Sequence, residues 1–168
     1  MVVTEYGPQL PSCQENYVHN YVQVPTVWYD GKKEKGVCSQ LKKEEFSTTR
    51  RYLGKTQSQM AQLLGVSLKA IQSFEQGWRK IPVHTERQLL FLRALKNASP
   101  KKGRLCWVVR KCPMEIRQNC PAWELQAGYL CWFINGTICQ GQVQSSWRKK
   151  MEICRQCKVF RTMLPPLE

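Results

Sequence analysis

Seven of the nine cysteines in this chain fall between Cys106 and Cys157, and four of its six tryptophans lie among them. That segregation constrains the fold more than any other feature. So short a segment has little apolar area of its own, which makes a metal staple physically sensible there. Cys13 and Cys38 have no neighbouring thiol and read as small apolar or surface residues. No apolar run approaches the roughly 18 residues that a membrane helix needs. The start, MVVTEYGPQLPSC, has neither the basic nor the apolar region of a secretory leader. A cytoplasmic protein without a membrane partner is expected, in a compartment where thiols serve as metal ligands or redox groups sooner than as a disulfide frame.

Charge is divided almost as sharply. The chain carries 26 Lys and Arg against 12 Asp and Glu, a net of +14. Residues 1–40 hold three lysines against four acids, residues 41–100 hold eleven basic against four acidic side chains, and residues 101–168 hold twelve against four. An excess of this size points to a polyanionic partner. The predicted organisation is an N-terminal segment (1–40), a helical domain (41–97), a linker (98–104) marked by Ala98-Ser99-Pro100 and Gly103, a cysteine-rich domain (105–161) and a tail (162–168). In the first segment Tyr17, Val18, Tyr21, Val22, Val24, Val27, Trp28 and Tyr29 have β-type composition, and Asp30-Gly31 is a hairpin signal.

From Glu44 onward the apolar spacing turns helical. Phe46, Arg50 and Leu53 line one face, and Gly54 is a natural stop. Thr56 and Ser67 are N-cap residues for two short helices. Met60, Ala61 and Leu64 form the inward stripe of the first, and Ile71 and Phe74 that of the second. Gly65 separates them and Gly77 closes the pair. Pro82 opens a further helix whose apolar face is predicted from Leu89, Leu90, Leu92 and Leu95. Two short helices joined by a Gly-containing turn make the helix-turn-helix pattern.

Residues 50–82, RRYLGKTQSQMAQLLGVSLKAIQSFEQGWRKIP, resemble the helix-turn-helix of phage-repressor and Cro-type regulators, whose pattern is an Arg on the first helix followed by LGxTQxxxAxxLGVSxxxIxxxExGxRxP. The resemblance implies a lambda-repressor-like all-α domain that binds double-stranded DNA. It places Gln57 on a phosphate, Leu68, Lys69, Gln72 and Ser73 on the groove side of the recognition helix, and Gln76 and Arg79 at the backbone. It implies that Arg50 and Glu75 form a structural ion pair. Trp78 departs from the pattern, where a smaller or charged residue is usual. In a major groove, Lys69 can donate to guanine, Gln72 can pair with adenine and Leu68 can touch a thymine methyl. A homodimer would read two half-sites about one helical turn apart.

In the cysteine-rich segment, residues 105–109 and 129–134 have β-like composition, Asn135-Gly136-Thr137 forms a turn signal, and residues 147–154 read as a basic helix. The segment resembles the bacterial two-CW domain. The shared motifs are Cys106-Trp107, Cys131-Trp132, Cys120-Pro121-Ala122, Gly136-Thr137-Ile138-Cys139-Gln140-Gly141 and Cys154-Arg155-Gln156-Cys157 followed by Phe160. That family accompanies regulatory and sensory proteins, so the resemblance implies an input domain. A CxxC brings two sulfurs together, and two further cysteines complete a Cys-bound zinc or iron–sulfur centre. The expected ligands are Cys112, Cys120, Cys154 and Cys157. Cys106 and Cys131 can instead be core residues, and redox thiols without metal, buried thiols or structural disulfides stay open. Basic neighbours (Arg110, Lys111, Lys149, Lys150, Arg155, Lys158) favour thiolates.

The fold class expected is therefore α+β, a helix-turn-helix domain followed by a small Cys/Trp-rich, metal-stapled one. The expected function is a DNA-binding transcriptional regulator with a metal- or redox-sensing domain. The alternative is a redox or electron-carrying protein that docks partners through its helices. Neither histidine, His19 or His84, belongs to a legible triad, and no enzyme is expected.

Overall fold

A computed structural model describes residues 41–97 and 105–167. The expected N-terminal hairpin with Cys13, Cys38 and His19, and the linker at 98–104, lie outside the described residues. The described residues are mostly helical with one small two-stranded sheet, a mixed α+β fold.

In the first half, two helices start at side-chain caps and stop at left-handed glycines. Helix α1 (Lys43–Tyr52) puts Glu44 and Glu45 in its first turn and Arg50 and Arg51 in its last, each sign matched to the helix dipole. Helix α2 (Gln57–Leu64) opens with a full capping box, in which Thr56 accepts from the Gln59 amide and the Gln59 side chain accepts from the Thr56 amide. Gly65 ends it in the left-handed region, and Ser67 then caps α3 (Leu68–Gln76). Gly77 is favoured by its φ of +79°, in the left-handed region. Helix α3 packs on both α1 and α2 through Ile71 and Phe74, with the Phe74 ring edge-on to Phe46 at 5.8 Å.

Helix α4 (Val83–Asn97) departs from its expected face. Leu89 and Leu90 are buried and Leu92 is half-buried, but Leu95 is 54% exposed. Its buried face runs instead through Thr85, Glu86, Arg93 and Ala94, because the cysteine-rich half covers that side. Phe133 stacks on Phe91 at 4.9 Å, the Arg87 guanidinium lies over the Phe133 and Trp147 rings and donates to the Phe133 carbonyl, and Arg93 donates to the carbonyl of Pro165. The described residues thus form one compact unit. Met163 and Leu164, within the segment expected as a tail, are buried.

The cysteine-rich half is built from short pieces. They are α5 (Cys106–Val109), α6 (Met114–Arg117), α7 (Pro121–Glu124), a 3-10 turn (Gly128–Leu130), β1 (Thr137–Cys139), β2 (Gln142–Gln144), α8 (Trp147–Cys154) and α9 (Lys158–Met163). Two predicted strands are absent. Residues 105–109 make a helical turn, with the Val109 amide bonded to the Leu105 carbonyl, and residues 129–134 make turns around the fully buried Trp132. Their aromatic and β-branched content serves packing, not strand pairing. The actual hairpin pairs Thr137 with Gln144, Ile138 with Val143 and Cys139 with Gln142. Its two-residue turn, Gln140-Gly141, has positive φ at both positions. Helix α8 has the expected bounds.

Candidate nucleic-acid interface and thiol cavity

Helix α3 has two unlike sides. Ile71 and Phe74 hold its back in the core, at 0% and 2% exposure, while Leu68, Lys69, Gln72 and Gln76 stand in solvent with Arg79 just beyond its end. Ser73 is half-buried, and its hydroxyl donates back to the Lys69 carbonyl at 2.8 Å, so its side chain is less available than expected. Trp78 is 80% exposed beside Arg79 and Lys80.

Gln57 is engaged within the protein: its side-chain amide donates to Glu75 Oε2 at 2.6 Å. Glu75 also takes a two-pronged contact from Arg50, at 2.6 Å from Nε and 3.2 Å from Nη2, and Arg50 donates onward to the Lys55 carbonyl. The expected Arg50–Glu75 pair is therefore present, and it has recruited Gln57. Burial raises the Glu75 carboxyl, but the hydrogen bonds from Arg50 and Gln57 and the charges of Arg50 and Arg51 outweigh it, leaving Glu75 below its ordinary value of 4.5. A depressed carboxyl stabilises the fold above that ordinary value, and the contribution is lost as pH falls through the folded one. Glu75→Gln is expected to cost about 1.5–3 kcal/mol near neutral pH, the range of a hydrogen bond to a charged group. The deficit should close in acid. Urea unfolding across pH checks this, and a deficit constant with pH would contradict it.

All seven cysteines of the second half line one cavity of about 260 Å³. Cys106 comes from α5, Cys112 follows it, Cys120 precedes α7, Cys131 follows the 3-10 turn, Cys139 ends β1, Cys154 ends α8 and Cys157 precedes α9. Trp107, Trp123 and Ile153 share the wall. The two indoles meet edge to face at 4.9 Å, and a Cβ on Gly128 would fall 2.5 Å from the Trp107 ring, so only glycine admits that indole. The four expected ligands are here, but not as a separate set. Cys106 and Cys131, expected as core alternatives, sit on the same wall at intermediate exposure. Among the described residues, no three His, Cys, Asp or Glu side chains converge as one ion would require.

The electrostatics are distinctive. Lys150 is 1% exposed, lines the cavity, and donates to the Ile134 carbonyl and the Thr137 hydroxyl. Among the described residues no carboxylate pairs with it. Burial pushes its ammonium down, and Cys154, Cys131, Cys139 and Cys120 are the groups whose ionised forms would push it back up. Arg110 Nη2 lies 3.9 Å from the Cys139 sulfur. Burial pushes the Cys154 thiol up to about 12. The hydrogen bond between Cys106 and Cys131 lowers the first and raises the second, the proton staying on Cys131. By contrast Lys111, Lys149 and Lys158 are exposed. Lys150 was only one of six basic neighbours in the sequence. Its position four residues before Cys154, hence on the same helical face, was the signal that set it apart.

Arg155, between Cys154 and Cys157 in the chain, turns away from the cavity. Its Nη1 lies 3.1 Å from both carboxylate oxygens of Glu45 on α1, and its Nη2 lies 3.6 Å from Glu86 on α4. It links the cysteine wall to α4 and to α1, on which α3 packs. His84 is exposed, as a solvated residue would be. Compared with known proteins, the chain matches no family model, no curated protein and no solved structure. Function must therefore be read from the site. Among the described residues no helix is long and apolar enough to cross a membrane.

Proposed function

We propose that the chain is a DNA-binding protein, a sequence-specific transcriptional regulator of the helix-turn-helix kind. Its cysteine cavity is the input site, holding a Cys-bound metal centre of the iron–sulfur or zinc type. The observation that carries this reading is the two-sidedness of α3: its back is anchored by Ile71 and Phe74, and its front offers Lys69, Gln72 and Gln76 to solvent. A polar helix edge of this kind enters the major groove and places its N-terminal residues at base edges. The +14 charge supplies the attraction to phosphate. Two copies would read half-sites related by the dimer axis.

The input reaches the duplex face through Arg155. A metal centre contributes binding energy that is folding energy for so small a cysteine-rich segment. When the cavity wall at Cys154 and Cys157 shifts, Arg155 shifts with it, and its ion pairs with Glu45 and Glu86 carry the movement to α1 and α4. Helix α3 rests on α1.

Base readout and phosphate contact are separable by mutation. Gln72→Ala is expected to lose about 1–3 kcal/mol of discrimination at one base pair, with little loss on other sequences. Arg79→Ala should weaken every duplex alike and reduce the log–log salt slope by about 1. Fluorescence anisotropy on matched and mismatched duplexes distinguishes the two. If both variants behaved identically, the division of roles would be wrong. Absence of any duplex binding would favour the redox-carrier reading.

A further inference from the structure

The geometry points to a polynuclear iron–sulfur cluster, not a single zinc ion, as the ligand of the seven-thiol cavity, with buried Lys150 as its fixed counter-charge. The inference deepens the proposed input site and rests on that reading.

Size is the first ground. Four thiolates sharing one zinc at about 2.3 Å stand roughly 3.8 Å from one another around a point. Here no three thiols share a point, and they are spread around a space of about 260 Å³. A water needs only about 10–15 Å³ of such volume. Thiolates that ligate a cluster are shared among two or more irons, so they stand around a space that leaves room for sulfide between them.

Charge is the second ground. A buried ammonium without an anion is strongly disfavoured. Lys150 is 1% exposed, has only a carbonyl and a hydroxyl as acceptors, and faces the thiols of the cavity. No carboxylate among the described residues neutralises it. Thiolate ligands supply the missing negative charge, each ligating cysteine releasing its proton to solvent as its sulfur bonds iron. Arg110, reaching the Cys139 sulfur from the cavity mouth, adds a second cation. The apolar wall of Trp107, Trp123 and Ile153 limits the access of water to such a centre.

The test is iron, zinc and acid-labile sulfide analysis of the full chain, isolated anaerobically, before and after incubation with iron and sulfide. The expected result is at least about two irons per chain with as many sulfides, as the smallest cluster requires, and broad visible absorbance. One metal ion per chain without sulfide would overturn the inference, and so would a metal-free folded protein. Lys150→Met, checked for folding by circular dichroism, should retain iron about 10–100-fold less well against a chelator. Unchanged retention would remove Lys150 from the site. If that variant does not fold, the wild-type sulfide content decides. Duplex binding measured on the same samples separates the two levels: sulfide without DNA binding sinks the regulator, and DNA binding without sulfide sinks the cluster.

Discussion

Trp132→Ala is expected to lower stability by about 3–5 kcal/mol, the range for deleting a fully buried large aromatic ring. The side chain is 0% exposed and is ringed by Phe133, Trp147 and Phe160 at 5.5–6.5 Å between ring centroids. The loss should not stay in the cysteine-rich half. Phe133 also stacks on Phe91 of α4, and Arg87 of the same helix lies over both Phe133 and Trp147. Removing the indole loosens the layer that joins the halves, so helix content and tryptophan fluorescence should be lost in one transition. Against a typical total of about 5–15 kcal/mol, a loss of this size moves the midpoint far. Urea unfolding followed by both probes decides the point. A loss under about 1 kcal/mol would contradict the packing. Two separated transitions would contradict the single unit.

The second large effect lies at Arg155. Removing it leaves Glu86, whose side chain is 2% exposed, without its ion-pair partner. Breaking a fully buried pair costs about 3–5 kcal/mol, and because Arg155 keeps 28% of its side-chain surface the expected loss for Arg155→Ala is about 2–3 kcal/mol. Its pH dependence has a definite sign. Burial already holds the Glu86 carboxyl above its ordinary value of 4.5, with the Arg155 charge acting against that rise. Without Arg155 the folded value climbs further. A raised carboxyl stabilises the fold below its unfolded value, and this stability is lost as pH rises through the folded one. The variant should therefore be nearest to wild type in acid and furthest from it at neutral pH. Glu86→Gln in the Arg155→Ala background should recover much of the loss, since the uncompensated charge is gone. A deficit independent of pH, or no recovery, would sever the proposed link between the cavity and α4.

Local signals and distant ones were not equally legible. Thr56, Gly65, Ser67 and Gly77 act on their own few residues of backbone, so cap chemistry placed α2 and α3 without knowledge of the rest of the fold. The inward stripe of Met60, Ala61, Leu64, Ile71 and Phe74 followed from helical period for the same reason. Helix α4 shows where that logic stops. Leu95 has the right period and is exposed, while Glu86 and Arg93 are buried, because a partner surface more than forty residues away covers them. In the cysteine-rich half, Val108, Val109, Tyr129 and Phe133 mimic strand composition, yet their backbones turn within four residues to wrap a cavity. No period records such a wrap.

The sites divide in the same way. Lys69, Gln72, Gln76 and Arg79 were readable because exposure on a short helix is a local property. The capture of Gln57 by Glu75 was not, since it depends on how α2 meets α3 across eighteen positions. The cysteines announced themselves by number, and the CxxC drew attention to two of them. That Cys106, Cys131 and Cys139 share the cavity with the other four is a property of the assembled walls. Arg155 was counted only as a basic neighbour, although its tie to Glu45 and Glu86 gives the thiol half its hold on the other.

The proposed reader of the duplex is the solvent edge of α3. Selection of tight-binding sequences from random double-stranded DNA by the full chain, with Lys69→Ala/Gln72→Ala in parallel, tests it most directly. The expected result is an enriched motif whose affinity falls with salt at a slope of about −0.9 per phosphate neutralised, and whose enrichment disappears in the double variant. An absence of enrichment, or the same motif selected by both proteins, would contradict the account.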